Sequence, residues 1–131
     1  MADLGTALRT LLDGPYAQAR ESTRDLLAST GVLTDPTQGL EEQRTQTREA
    51  VLALAKSGIP AAGFAKEHGG TGDPGASIVG FEMLVYADVS LMVKSGVQWG
   101  LFGGAVENLG TQRHHDAYLP RIIDGDLLGC F

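Results

Sequence analysis

A single cysteine, Cys130, stands among 131 residues, which excludes an internal disulfide and any zinc site built on paired cysteines. That usage fits a reducing compartment, and the cytoplasm is the expected location. Basic residues are also scarce: ten Lys and Arg against sixteen Asp and Glu leave a formal net charge of -6. Nucleic acid and anionic membrane surfaces both require a basic footprint, so no nucleic-acid partner is expected. Long apolar runs are missing too. The uncharged stretch SGVQWGLFGGAV at 95–106 has only 12 residues, where a spanning helix needs about 20, so no membrane span is expected. The N-terminus MADLGTALRTLLDG carries Asp3 before any basic residue and no apolar core with a small-residue cleavage site, so no secretory signal is expected.

What the chain has in excess is glycine, 18 of 131 residues, roughly twice the usual frequency of about 7%. Several fall inside helical patterns, where each costs about 1 kcal/mol relative to alanine. Close backbone packing is the expected compensation. The length suits one domain with a moderate core.

The apolar spacing predicts an all-α bundle of about six helices over 1–126, followed by a short strand. Leu4, Leu8, Leu11 and Leu12 form an amphipathic stripe over 3–13. Gly14-Pro15 breaks the chain, and a second helix is expected to about residue 28. A loop over 29–39 leads to a third helix over 40–57, with Gly58 as its stop. The stretch 58–74, rich in Gly and Pro, reads as ordered turns. Asp73 and Pro74 then cap and open a fourth helix, a fifth spans about 88–109, and Thr111 caps a sixth through Tyr118 that Pro120 interrupts or ends. Only 127–131 reads as a strand, so the final residues lead out of the helical domain into something else.

GTGDPG at 70–75 matches the dinucleotide fingerprint G-x-G-x-x-G. Its context does not. The preceding FAKEHG is charged rather than a buried strand, Asp73 would occupy the amides a phosphate needs, and no acidic residue stands about 20 positions on. The motif reads as turn chemistry.

Other candidates for chemistry are weak. His114 and His115 are adjacent and diverge by about 100° on a helix, with His68 far off in sequence, so a solvated face is expected and no metal site. Glu41, Glu42, Asp116, Asp124 and Asp126 read as surface charges, Cys130 as a small core residue, and Ser95 lacks the nucleophile turn and a local base. The stretch VKSGVQWGLFGGAVENLG differs. Val93, Val97 and Leu101 form one stripe and Gly96, Gly100 and Gly104 another, beside a buried-looking Gln98. A helix without side chains along one edge offers a backbone-lined groove to a neighbouring helix or to an apolar ligand.

GFAKEHGG, DPGA, SLMVKSGVQWGLFGGA, LGTQRHHDAYLPRI and the terminal GCF occur here in the order in which they recur in FAD-dependent acyl-CoA oxidases of the acyl-CoA dehydrogenase superfamily. Residues 58–131 resemble the N-terminal helical domain of that family strongly; residues 1–57 share mainly their helical character. The resemblance implies α,β-dehydrogenation of a fatty acyl-CoA, with FAD as hydride acceptor, O₂ as the oxidant in oxidases, and a homo-oligomeric complete enzyme. It also implies that the 88–109 helix lines the acyl tunnel, making Val93, Val97 and Leu101 acyl-chain contacts, and that Phe131 stands near the flavin. The T-E-x-x-x-G-S-D type segment expected after GCF and the catalytic glutamate of the C-terminal bundle are not in this sequence. No catalytic residue is therefore named, and FAD is not expected to be retained by this chain alone. A free-standing helical module that binds an acyl group or a partner protein without catalysis is the alternative expectation.

Overall fold

The computed structural model describes residues 3–30 and 37–130, and the fold is all-α: no described residue lies in a strand. Helix α1 is Leu4–Asp13, α2 is Ala17–Thr30 and α3 is Leu40–Ser57. Gly58, in the left-handed region at φ 77°, ends α3 as its sequence position suggests. Two 3₁₀ turns, Ile59–Gly63 and Lys66–His68, occupy the glycine-rich stretch. Helix α4, Pro74–Ala87, starts where Asp73 accepts a hydrogen bond from the Ala76 N–H at 2.9 Å. Asp88 repeats the device for α5, Val89–Ser95, accepting from Leu91 N–H at 2.8 Å.

Beyond Ser95 the chain continues helically but widens. Gly96–Gly103 is π-helical, closing with the Gly104 N–H on the Trp99 carbonyl, before α6 resumes over Gly104–Leu109. This segment turns less per residue than an α-helix, so the adjacent Gln98 and Trp99 both face inward, 2% and 8% exposed. Helix α7, Gln112–Ile123, opens on a capping box in which the Thr111 and His114 side chains each reach the other's backbone. Pro120 was expected to interrupt or end it, yet the helix runs three residues further. Leu119 and Ile122 are fully buried and Ile123 nearly so, and that burial, roughly 1.5–3 kcal/mol per side chain, holds the last turn.

The core joins Val51 and Leu54 of α3, Phe64, Leu84 of α4, Leu91 of α5 and Trp99 to the buried face of α7. Helix α1 stays outside it. Leu4, Leu8, Leu11 and Leu12 are 73%, 49%, 76% and 74% exposed, so the expected stripe forms but stays outside the core among the described residues. Charge anchors α1 instead. Asp13 is buried and held by Arg24, which also bonds Glu21 at 3.0 Å, while Arg9 pairs with Glu21.

The strand expected at 127–131 is not formed over its described residues, 127–130. Gln98 takes the place of a partner strand: its Nε2 donates to the Leu127 carbonyl at 2.8 Å and its Oε1 accepts from the Gly129 N–H at 2.9 Å. Cys130, expected in the core, is exposed on this tail. Leu127 and Gly129 face inward while residues 128 and 130 face out.

Candidate functional site

A cleft of about 670 Å³ opens between α4 and the helix running from α5 through the π-helical segment. Ile78, Phe81 and Leu84 contribute from α4, while Val93, Val97 and Leu101 line the opposite side. Val93 and Leu101 are about half exposed, at 52% and 50%, and Val97 is half-buried. Ile59, Pro60 and Phe64 of the glycine-rich turns close one end. The structure thus brings all three residues of the sequence stripe to one cavity. Phe131 lies outside the described residues.

The small-residue edge serves both uses that its spacing allowed. Gly96 lies against the ring of Phe81, where an added Cβ would come within 2.9 Å. Gly100 faces open space and lines the cleft. Helix contact and cavity are therefore made by successive glycines. On the inner side, Gly103 receives the Phe64 ring, with 2.6 Å left for a Cβ.

Gly70, the first glycine of the fingerprint-like motif, is fixed by backbone approach: a Cβ there would stand 2.0 Å from the Phe64 carbonyl oxygen. The turn is tied further by Gly72 N–H to the Phe64 carbonyl and Asp73 N–H to the Ala62 carbonyl, both at 2.9 Å. None of the motif's residues lines the cleft, and the Asp73 carboxylate already accepts from the Ala76 N–H at the start of α4.

The lining is apolar apart from Ser77, Ser95, Glu107 and Asn108. Glu107 carries the only charge among the lining residues, and it accepts a hydrogen bond from the Ala65 N–H at 2.8 Å. No Lys, Arg or His lines the cavity. Such a site accepts a neutral, largely apolar group and disfavours an anion.

Elsewhere, His68 and His115 meet with ring centroids 4.5 Å apart, a contact that sequence distance hid. His115 is therefore not on a fully solvated face, although His114 is exposed. Among the described residues no group of three His, Cys, Asp or Glu side chains could hold a metal ion. Glu41, Glu42, Asp116, Asp124 and Asp126 are all exposed as expected. The buried carboxylate is Asp13, which sequence reasoning passed over. The Arg24 guanidinium bonded to it, helped by Arg9, holds its carboxyl below the usual range against the opposing effect of burial. No described helix is long and apolar enough to cross a membrane.

Residues 17–126 match the acyl-CoA dehydrogenase, N-terminal domain, family. The chain belongs to that family. It is 32% identical over 127 residues to "Acyl-coenzyme A oxidase 2, peroxisomal" of Arabidopsis thaliana, covering 97% of this chain and 18% of the relative. It is also 30% identical over 139 residues to "Putative acyl-coenzyme A oxidase 3.2, peroxisomal" of the same plant, covering 95% and 20%. The chain thus spans about a fifth of the length of these curated relatives and is homologous to their N-terminal part. No solved structure matches it. Helix α1 lies outside the matched residues, and the cleft lies wholly within them.

The acyl-CoA dehydrogenase family uses FAD. A dinucleotide brings a pyrophosphate, which calls for cations or free amides at a helix N-terminus. The cleft of this domain supplies neither, so the residues that line it do not fit FAD; they suit a neutral, largely apolar group.

Proposed function

We propose that this chain forms an acyl-binding wall of an enzyme that oxidises fatty acyl-CoA between its α and β carbons, the acyl tail lying in the α4–α5 cleft. The observation that carries the reading is the cavity itself: a largely apolar trough without a cation, faced by Val93, Val97 and Leu101 in a domain of this family. In this role Val93, Val97, Leu101, Ile78 and Phe81 shed water from the tail and fix its path, while the open backbone edge at Gly100 leaves room for it.

Flavin and catalytic base are assigned to the parts of the relatives that this chain does not span, and Phe131 is proposed to stand near the flavin. The relatives' names as acyl-coenzyme A oxidases support the oxidase form, with O₂ as oxidant. For location, the single free thiol supports a reducing compartment such as the cytoplasm; the plant relatives carry the word peroxisomal in their names.

The test uses the native gene product supplied with palmitoyl-CoA in aerated buffer, following the 2-enoyl thioester and hydrogen peroxide together. Stoichiometric appearance of both supports the reading. A product with neither acyl-CoA binding nor turnover overturns it.

A further inference from the structure

Ser95 is 3% exposed, its residue lines the cleft, and its Oγ has no hydrogen-bond partner. Six other helix hydroxyls behave differently. Thr10, Thr23, Thr45 and Thr47 each donate to the carbonyl four residues back, at 2.8–3.0 Å, and Ser29 and Ser57 to the carbonyl three back. Ser95 makes no such bond. It shares the cavity lining with the buried side chains of Leu54, Leu84 and Trp99, where an unsatisfied hydroxyl is disfavoured.

Resting on the acyl-cleft reading above, we propose that Ser95 determines substrate specificity: the preferred occupant is an acyl chain bearing a neutral oxygen substituent, a hydroxyl or a ketone, along its length. Three features lead there. The serine hydroxyl both donates and accepts, so it pairs with either substituent. The cavity lining has no cation, which disfavours a carboxylate or phosphate at that point. Rotation about χ1 alone re-aims the hydroxyl, whereas the surrounding leucines and tryptophan have no polar atom to offer except the Trp99 indole N–H, already donated to the Ile122 carbonyl at 3.0 Å.

The experiment compares unsubstituted palmitoyl-CoA with a positional series carrying one hydroxyl or one ketone at successive carbons, by titration calorimetry on the native gene product. One narrow range of positions should bind roughly 3- to 10-fold tighter than the plain chain. Ser95→Ala should erase that preference, bringing the favoured positions down to the affinity that the same variant shows for the plain chain, and Ser95→Thr should retain part of it. A thermal melt of Ser95→Ala should show an unchanged or raised Tm, since a buried hydroxyl without a partner is removed. Plain chains that bind, with a flat series or a preference that survives Ser95→Ala, overturn the assignment and leave the acyl cleft standing. Failure of every chain to bind, the plain one included, overturns both.

Discussion

The side-chain amide of Gln98 holds Gly129 and Leu127 at once, accepting from one backbone N–H at 2.9 Å and donating to the other's carbonyl at 2.8 Å. Its Nε2 also lies 3.2 Å from the Ile122 carbonyl, which the Trp99 indole shares. The tail after α7 is therefore fastened to the π-helical segment that forms one side of the cleft.

Gln98→Leu roughly keeps volume and removes the three bonds of the amide, leaving the Gly129 N–H and Leu127 carbonyl without their partner. A loss of about 1–3 kcal/mol in urea unfolding is expected, together with faster amide exchange at Gly129. Unchanged protection at Gly129 would show that the tail is held without Gln98, by Leu127 packing and the Leu127 N–H bond to the Arg121 carbonyl at 2.9 Å.

Gly103 touches Phe64 so closely that a methyl group has 2.6 Å of space. Gly103→Ala should overpack the core and cost about 1–3 kcal/mol, whereas Gly100→Ala, which meets nothing within 4 Å, should leave stability unchanged or slightly raised. Paired thermal melts check the contrast.

Val97→Trp should narrow the cleft. In the complete enzyme, kcat/KM for long acyl-CoA should fall about 10-fold or more with short chains spared and Tm nearly constant. An unchanged chain-length profile would remove Val97 from the acyl path.

Acid should loosen the α1–α2 junction. The Arg24 hydrogen bond lowers the Asp13 carboxyl, and Arg9 and Arg24 lower that of Glu21. Carboxyls depressed on folding contribute stability above the ordinary carboxylate range and lose it as pH falls through their lowered folded values. Tm should therefore drop on acidification below the ordinary range, and Asp13→Asn should flatten that dependence. A variant with the wild-type pH profile would sink the assignment.

Leucines of like appearance should differ sharply in effect. Leu11→Ser, on the exposed side of α1, should stay within about 0.5 kcal/mol of wild type, while Leu119→Ala in the core should cost about 2–5 kcal/mol. Chemical denaturation of both variants decides.

Periodicity and caps sufficed to read the helices of this domain, because Asp73, Asp88, Thr111 and Gly58 act on amides and carbonyls within a few residues of themselves. The stripe of Val93, Val97 and Leu101 was legible for the same reason: its spacing is a property of one helix. The opposite side of the cleft, with Phe81 and Ile78, was not, since no local pattern says which helix will face which. Pro120 misled because a missing N–H is a local cost, outweighed here by the burial of Leu119 and Ile122.

By itself the sequence determined a helical domain, its punctuation, its family and an apolar stripe on one helix, all carried by interactions or motifs short in sequence. Only the tertiary structure decided that α1 keeps its leucines outside, that 127–130 bonds to a side chain instead of a strand, that His68 meets His115, and that Ser95 is buried without a partner. Those outcomes depend on groups tens of residues apart competing for the same space and the same hydrogen bonds, and that competition is settled only when the helices pack.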